Sequence, residues 1–268
     1  MSIMELPDVA IMLDSAVRTA TPITQLSELG IRLDLPAAYT LQHMLVERRL
    51  QRGERLIGIK MGFTSRAKMA QMGVSDLIWG RLTDAMQIRE GTRIKIDDYI
   101  HPRAEPEIAF RLGKALAGEV SLEQAMAAVE AVAPAIEIID SRYRDFRFSL
   151  TDVVADNTSS AGLVLGRWRA PDIDLNQLTL TLRFDDMVVQ QGPATAILGN
   201  PWQSLVEAAR LVAQAGLELQ PGWVVMAGAA TAAEALRPGV AVSVDAGVLG
   251  TAGFRVRELT ATGTRKSS

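Results

Sequence analysis

Three glutamates stand in apolar stretches of the chain, and their positions suggest a metal site. Glu105 and Glu107 are separated by one proline and lead into an apolar run. Because side chains alternate between the two faces of a β-strand, both carboxylates should point to the same side. Glu137 is the lone carboxylate of a second apolar stretch, 135–139, and glutamate is rarely buried without a partner. Three such carboxylates suit a hard divalent cation, Mg2+ or Mn2+.

The same spacing also permits a purely structural arrangement. Glu105 and Glu107 would then form a solvated strand face, and Glu137 would pair with an arginine. Pro106 has no N–H, so its strand is expected to start at a sheet edge or outside the hydrogen-bonded ladder. The residues alone leave both interpretations open.

Lys60 is the second candidate for chemistry. In the predicted strand 56–62 it shares one face with Gly58 and Gly62, which leaves space around the lysine. Such space is expected where a ligand approaches the backbone. The alternative is a lysine on an edge strand that prevents aggregation.

Composition excludes several classes of function. The chain has 268 residues, no cysteine, two histidines and a net charge of −3. Thiol nucleophiles, zinc-thiolate sites and disulfides are therefore excluded, and no basic surface argues for nucleic acid. The N-terminus lacks the pattern of a signal peptide, and no apolar run has membrane-spanning length. We expect a cytoplasmic protein that binds neither nucleic acid nor membrane.

The expected fold class is α+β, a mixed β-roll or sandwich core with helices packed on it. A helical N-terminal layer is predicted over 1–55, with Asp34 as an N-cap and Pro36 in the first turn. A β-rich core should follow over 56–260, and a frayed tail over 261–268.

Two later helices are predicted from their caps. Ser121 and Gln124 form a capping-box pattern, and the helix after them is expected to end near Pro134. Asn200 is expected to cap another helix, with Pro201 at its first position.

Four segments resemble a known family in their order along the chain. They are 58–65 (GIKMGFTS), 102–107 (PRAEPE), 135–142 (AIEIIDSR) and 156–162 (DNTSSAG). Together they are similar to the hydratase/decarboxylase branch of the fumarylacetoacetate hydrolase superfamily. The resemblance implies a carboxy-lyase that decarboxylates 2-oxo-3-hexenedioate with Mg2+ in the meta-cleavage catabolism of aromatic compounds. It leaves two alternatives, a 2-oxopent-4-enoate hydratase and a weakly active partner subunit, because members of this branch work as decarboxylase–hydratase pairs.

The resemblance also implies roles for particular residues. Glu105, Glu107 and Glu137 would hold the metal, and Lys60 would face an oxo-dicarboxylate substrate. Further residues are predicted to contact that substrate: Phe63, Leu77, Ile78, Trp79, Arg142, Ser160 and Thr231.

The segment 76–79 bears on which of the two related reactions, decarboxylation or hydration, is expected. Leu77, Ile78 and Trp79 would surround a departing carboxylate with apolar groups, which favours decarboxylation, although core packing also accounts for such residues. Asp76 favours the hydratase alternative, because addition of water needs a group that moves protons.

Overall fold

The computed structural model describes residues 4–65 and 77–258. Five α-helices lie in these ranges: α1 (Leu6–Arg18), α2 (Leu35–Gln51), α3 (Leu122–Ala127), α4 (Leu150–Ala155) and α5 (Gln203–Gln214). Asp76 and the tail over 261–268 lie outside the described residues.

Thirteen strands are present in the described ranges, and they form two sheets. They are β1 (Leu56–Gly62), β2 (Ile78–Thr83), β3 (Gln87–Ile88), β4 (Arg93–Ile94), β5 (Arg103–Leu112), β6 (Val129–Ile139), β7 (Ser160–Leu165), β8 (Thr179–Phe184), β9 (Met187–Pro193), β10 (Val224–Met226), β11 (Glu234–Ala235), β12 (Ala241–Asp245) and β13 (Thr251–Val256). The larger sheet has the order β2-β1-β10-β5-β6-β7-β3, with β11 beside β5. The smaller sheet has the order β4-β13-β12-β8-β9.

The main hydrophobic core lies between the two sheets. Phe110 and Val132 of the larger sheet belong to the same buried cluster as Phe184 and Val242 of the smaller one. Helix α5 packs on this core through an apolar face that includes Leu205. These features confirm the α+β class and the layered β core with packed helices.

The N-terminal helices form the predicted layer. The Asp34 side chain accepts a hydrogen bond from the Ala37 N–H at 2.8 Å, which confirms the cap of α2. Residues of α1 and α2 share a second buried cluster with α4, Ile78 and Tyr143. The layer is thus packed against the β-rich part, and the predicted division at residue 55 stays a prediction.

Two helix boundaries differ from the predicted ones. Ser121 and Gln124 do form a capping box, but α3 ends at Ala127 and the chain enters β6 at Val129. The prediction of a helix up to Pro134 is wrong because pairing with β5 overrides the helical spacing of the apolar residues. Helix α5 begins at Gln203, since Asn200 accepts bonds from the following backbone in a turn that precedes it.

Pro106 lies inside the larger sheet. The expectation of an edge strand is wrong, because β5 pairs with β6 on one side and with β10 and β11 on the other. Pro106 lies at the interval between β10 and β11, where its carbonyl accepts a hydrogen bond from Ala230 N–H at 3.2 Å. The proline therefore removes no donor from the ladders of β10 and β11.

Among the described residues, no helix is both long and apolar enough to cross a bilayer. The cytoplasmic location expected from the sequence stays a prediction.

At Gly58 the backbone of β10 lies close to β1, and replacement of this glycine should be costly. A Cβ there would lie 1.8 Å from the carbonyl oxygen of Val224, a backbone atom that cannot move without disturbing the parallel pair. We expect Gly58→Ala to lower the free energy of unfolding by roughly 3–5 kcal/mol, as for other severe core defects. Urea denaturation measures this.

Gly53→Ala is the matched control. Gly53 also has a positive φ, +97°, but no atom lies within 4 Å of the added Cβ. The control should cost about 1–2 kcal/mol, from backbone strain alone. Equal losses in the two variants would contradict the steric explanation.

Candidate metal centre

The register of β5 and β6 brings the three glutamates to one face of the larger sheet. Glu105 lies directly opposite Glu137, and Glu107 lies opposite Ala135. Directly opposed residues of an antiparallel pair share a face, and so do residues two apart on one strand. The three carboxylates therefore converge, as the spacing predicted.

Lys60 reaches the same face from β1. It pairs in register with Met226 of β10, which pairs in turn with Ala109 of β5. Ala109 follows Glu107 by two positions, so Lys60 and the glutamates share one side of the sheet. Lys60 is only 3% exposed and β1 is an internal strand, so the alternative of an edge-strand lysine is wrong.

The four charged groups form a compact buried cluster. Glu105, Glu107 and Glu137 each offer a carboxylate oxygen, and these atoms all lie within 4.8 Å of one another. The Lys60 ammonium lies 2.9 Å from Glu137 Oε1 and 3.1 Å from Oε2. The N–H of Gly228 donates to Glu107 Oε2 at 2.8 Å. Glu137 is thus paired with a lysine, and the predicted arginine partner is not its partner.

The donor set fits a hard divalent cation. Glu107 Oε1 is buried and receives no hydrogen bond from any residue that the structure describes. A buried carboxylate oxygen without a donor is costly unless a cation binds it. Carboxylate oxygens at this spacing are the ligands that Mg2+ and Mn2+ prefer. The arrangement contradicts the alternative of a solvated strand face, since Glu107 and Glu137 are fully buried.

Mutual repulsion shapes the protonation of the cluster. Burial raises the pKa of Glu107 well above its ordinary value, and the neighbouring carboxylates of Glu137 and Glu105 raise it further. Burial also raises the pKa of Glu137, although Lys60 opposes the shift. Burial lowers the pKa of Lys60, but the three carboxylates outweigh this effect and the net pKa is raised. Lys60 is therefore an ammonium at neutral pH.

A cavity of about 90 Å³ opens beside the cluster. Its wall is mostly apolar, and Lys60 and Glu105 are the titratable residues among the described ones that line it. The described residues that line it are Lys60, Met61, Gly62, Phe63, Thr64, Ile78, Glu105, Ile139, Phe146, Phe148, Val153, Thr158, Ser159 and Ala229.

Gly62, beside Lys60 on β1, and Gly80, opposite Lys60 on β2, have close neighbours in addition to the cavity. A Cβ on Gly62 would lie 2.9 Å from side-chain carbons of both Ile78 and Thr158, and one on Gly80 would lie 2.6 Å from the carbonyl oxygen of Asn157. Lys60 and Gly62 do line the cavity, as expected of a pocket wall, but neighbouring residues fill much of the space beside these glycines. The glycines let these residues approach β1 and β2.

A strained turn places two polar residues in the cavity wall. Asn157, Thr158 and Ser159 all have positive φ, between 49° and 56°. Non-glycine residues rarely adopt this conformation, and surrounding bonds must hold them there. The Asn157 side chain bonds both backbone groups of Arg81, and the Thr158 hydroxyl donates to the carbonyl of Trp79. The turn is thus fixed to β2.

The structure separates the apolar residues that were predicted to contact substrate. Phe63 and Ile78 line the cavity. Leu77 is buried in the main core, and Trp79 points to the opposite face of β2, where it stacks on Tyr39. A role for Leu77 or Trp79 at the substrate stays a prediction.

The polar residues in the same set have partners of their own. The Arg142 guanidinium lies 3.0 Å from Asp156 and donates to the carbonyls of Asp140 and Ser160. The Thr231 hydroxyl donates to the carbonyl of Ala232. The Ser160 hydroxyl is buried and unpaired among the described residues, but it lies behind Gly80 and outside the cavity wall.

Sequence reasoning missed several residues of the wall. Phe146 and Phe148 come from the segment after β6, which carries no regular pattern. Thr158 and Ser159 lie in the segment 156–162, whose run of small polar residues was noted for the resemblance and was not assigned to the wall.

The raised pKa values of Glu107 and Glu137 predict how stability depends on pH. Both exceed the unfolded value of 4.5, so the folded state binds more protons above that pH. The contribution of these two groups to the free energy of unfolding of the metal-free protein should therefore be largest below pH 4.5 and should fall as the pH rises. Lys60 stays charged throughout, because its pKa is also raised.

Urea denaturation in a chelator between pH 5 and pH 8 measures this slope. Glu107→Gln should make the free energy of unfolding depend less on pH, because the variant lacks one of the two titrating carboxylates. A slope that is unchanged in the variant would contradict the assignment.

Comparisons with known proteins identify the family of this chain. The profile of the family Fumarylacetoacetate (FAA) hydrolase C-terminal matches residues 57–257. A "4-oxalocrotonate decarboxylase" of Pseudomonas sp is 57% identical over 217 residues, which are 81% of this chain and 85% of that protein. A "2-keto-4-pentenoate hydratase 2" of Dechloromonas aromatica (strain RCB) is 34% identical over 244 residues, 90% of this chain and 93% of the relative.

A solved structure is similar over nearly the whole chain. It is the 4-oxalocrotonate decarboxylase from Pseudomonas putida G7 in complex with magnesium and adipate. The TM-score is 0.91 at 33% identity, and the match covers 95% of this chain and 99% of the other. The family profile, the curated relative and the structure agree, and the chain belongs to the fumarylacetoacetate hydrolase family.

Proposed function

We propose that this chain is a metal-dependent carboxy-lyase that converts 2-oxo-3-hexenedioate (4-oxalocrotonate) into 2-hydroxypenta-2,4-dienoate and CO2. The observation that carries the proposal is the buried cluster of three carboxylates and Lys60 beside a mostly apolar cavity. The 57% identity to a 4-oxalocrotonate decarboxylase supports it.

Glu105, Glu107 and Glu137 would hold Mg2+, with Mn2+ as the alternative. The bound ion would supply Lewis acidity to the 2-oxo group of the substrate. The chain supplies what makes this effective: the ligands are fixed by strand register, and the site is buried, so electrostatic interactions there are stronger than in water.

Lys60 would contribute a second positive charge. When the distal C–C bond breaks, the electron pair that CO2 leaves behind moves through the conjugated double bond to the 2-oxo oxygen. An ammonium beside this oxygen stabilises the developing negative charge, and the effect is largest where water is excluded. The mechanism needs no covalent intermediate, so Lys60 acts through its charge alone.

The apolar wall would favour loss of the distal carboxylate. Phe63, Ile78, Phe146 and Phe148 offer no hydrogen bonds from their side chains. A carboxylate placed against them is poorly solvated, whereas neutral CO2 loses nothing there.

The hydratase is the second candidate, since a hydratase relative matches 90% of the chain. Addition of water requires a group that moves a proton. In the described part of the cavity wall, Lys60 and Glu105 are the titratable residues, and the cluster engages both. This composition favours decarboxylation.

Ultraviolet assays of the purified chain distinguish the two reactions. We expect Mg2+-dependent loss of the absorbance of the conjugated oxo-diacid and formation of the dienoate. Consumption of 2-hydroxypenta-2,4-dienoate without action on the oxo-diacid would identify a hydratase instead.

Lys60→Ala should lower kcat by at least about 100-fold, as loss of a preorganised electrostatic group does. Metal affinity and folding should persist, because the three carboxylates remain and repel one another less with an ion between them. Steady-state kinetics and metal titration measure both quantities. Lys114→Ala, at an exposed lysine, is the control, and retention of full activity in Lys60→Ala would refute the role.

Glu107→Gln should weaken Mg2+ binding by about 100-fold or more, because an amide replaces an ionised ligand. Titration calorimetry with Mg2+, and with Mn2+ as a second probe, measures the affinity directly. A variant with the affinity of the unmodified chain would show that Glu107 is not a ligand.

We also propose a complex with a 2-oxopent-4-enoate hydratase, which would consume the dienoate as it forms. The resemblance to a branch that works in pairs supports this. Assays of the chain alone and with the hydratase test it, together with size-exclusion chromatography of the mixture. Activity only in the presence of the hydratase would favour the partner-subunit alternative.

A further inference from the structure

A second and larger cavity lies on the opposite face of β2. Its volume is about 520 Å³, and helices α2 and α5 form its walls. Alternation along β2 explains the separation, because Ile78 points to the metal centre while Trp79 and Arg81 point to this second cavity. The residues that line it are Leu35, Pro36, Tyr39, Thr40, His43, Trp79, Arg81, Leu211, Gln214, Ala215 and Leu217.

Arg81 is the unusual residue of this cavity. Its side chain lies at the base, and the residue is only 6% exposed. One guanidinium nitrogen donates to Gln42 Oε1 at 2.5 Å, and the guanidinium carbon lies 4.7 Å from the Trp79 ring centroid. Within the ranges 4–65 and 77–258, no carboxylate lies within 4.0 Å of its nitrogen atoms.

Several other buried charges among the described residues are paired. Arg142 has Asp156, Lys60 has Glu137, and Asp14 has two arginines. Burial of an unpaired charge is costly. Burial accordingly lowers the pKa of the Arg81 guanidinium to about 10, although the more distant Glu47 opposes the shift. The guanidinium therefore lacks a counter-ion that its surroundings would favour.

The other residues of the cavity indicate which kind of anion would fit it. The rings of Tyr39 and Trp79 stack at 5.5 Å with an interplanar angle of 22°, and Leu35, Leu211 and Leu217 add apolar surface. Small-molecule sites combine such apolar walls with a few fixed polar groups, in volumes of about 300–1,000 Å³. A guanidinium offers parallel N–H donors that match a carboxylate.

From this juxtaposition we propose that the cavity between α2 and α5 binds a small aromatic carboxylate, with the carboxylate on Arg81 and the ring against Tyr39, because the Trp79 ring is itself buried behind Tyr39 and Arg81. The site is separate from the metal centre, but the two share β2. Asn157 bonds the backbone of Arg81 and Thr158 bonds that of Trp79, and Thr158 lines the catalytic cavity. A ligand on Arg81 is thus linked to the wall of the catalytic cavity through Asn157 and its chain neighbour Thr158.

Benzoate is the probe for this site, and titration calorimetry of the full chain is the measurement. A chelator in the buffer keeps benzoate from binding through a metal ion. We expect saturable binding with one site per chain. Benzyl alcohol, which keeps the ring and lacks the carboxylate, should bind at least 10-fold more weakly, because hydrogen bonds to charged groups are the stronger ones.

Two variants test the location. Arg81→Met should weaken benzoate binding at least 10-fold, because it removes the charge and keeps an apolar chain. Ala215→Trp should abolish binding, because it fills the cavity mouth from an exposed position and removes no contact of Arg81. It stays informative if Arg81→Met fails to fold. Ala115→Trp, at an exposed residue outside the cavity lining, is the matched control and should bind normally.

Three results would overturn the proposal: no benzoate binding to the unmodified chain, equal binding of benzoate and benzyl alcohol, or full affinity in Ala215→Trp. In each case Arg81 would be a structural residue whose charge is satisfied by Gln42 and Trp79 alone. None of these measurements uses turnover, so the result does not depend on the proposed decarboxylase activity.

Discussion

The structure depends on holding three carboxylates together in a buried place. Glu105, Glu107 and Glu137 lie on one face of a sheet, and the Lys60 ammonium lies 2.9 Å from Glu137 Oε1. With all four groups ionised the cluster carries a net charge of −2, which burial makes costly. A divalent cation would make it neutral. The same feature that destabilises the empty cluster therefore provides the affinity for a metal.

Strand register is what makes such a cluster possible. A slip of one residue between β5 and β6 would turn Glu137 away from Glu105 and towards the hydrophobic core. Long pairing of the two strands fixes this register, and the close approach of Gly58 to Val224 fixes β1 against β10 in the same way. Much of the backbone thus serves to keep four side chains in one place.

The sequence predicted the parts of this arrangement that depend on local periodicity. Alternation along a strand placed Glu105 and Glu107 on one face, and the capping residue Asp34 placed the start of α2. It did not predict features set by distant pairing. The chain from 129 to 134 has helical spacing but joins β6 because β5 lies beside it. Pro106 lies inside the sheet because β10 and β11 leave an interval there.

In the candidate site, too, the sequence predicted some features and missed those that depend on distant parts of the chain. Lys60 was identified from its glycine neighbours, but Gly58 admits the backbone of Val224, and Gly62 admits Thr158 of the turn while it also lines the cavity. Trp79 and Ile78 are adjacent in sequence and lie on opposite faces of β2. Phe146 enters the cavity from irregular structure, where no periodicity reports the direction of a side chain.

The cavity has one charged wall and one apolar wall, and this asymmetry suits the proposed reaction. An oxo-diacid carries a carboxylate at each end, and the charged wall with Lys60 and a metal ion can compensate only one of them. The other end would lie against Ile78, Phe146 and Phe148, which do not solvate it. Loss of CO2 removes the badly placed charge and moves the electrons towards the cations. Decarboxylation therefore relieves an electrostatic mismatch in the bound oxo-diacid.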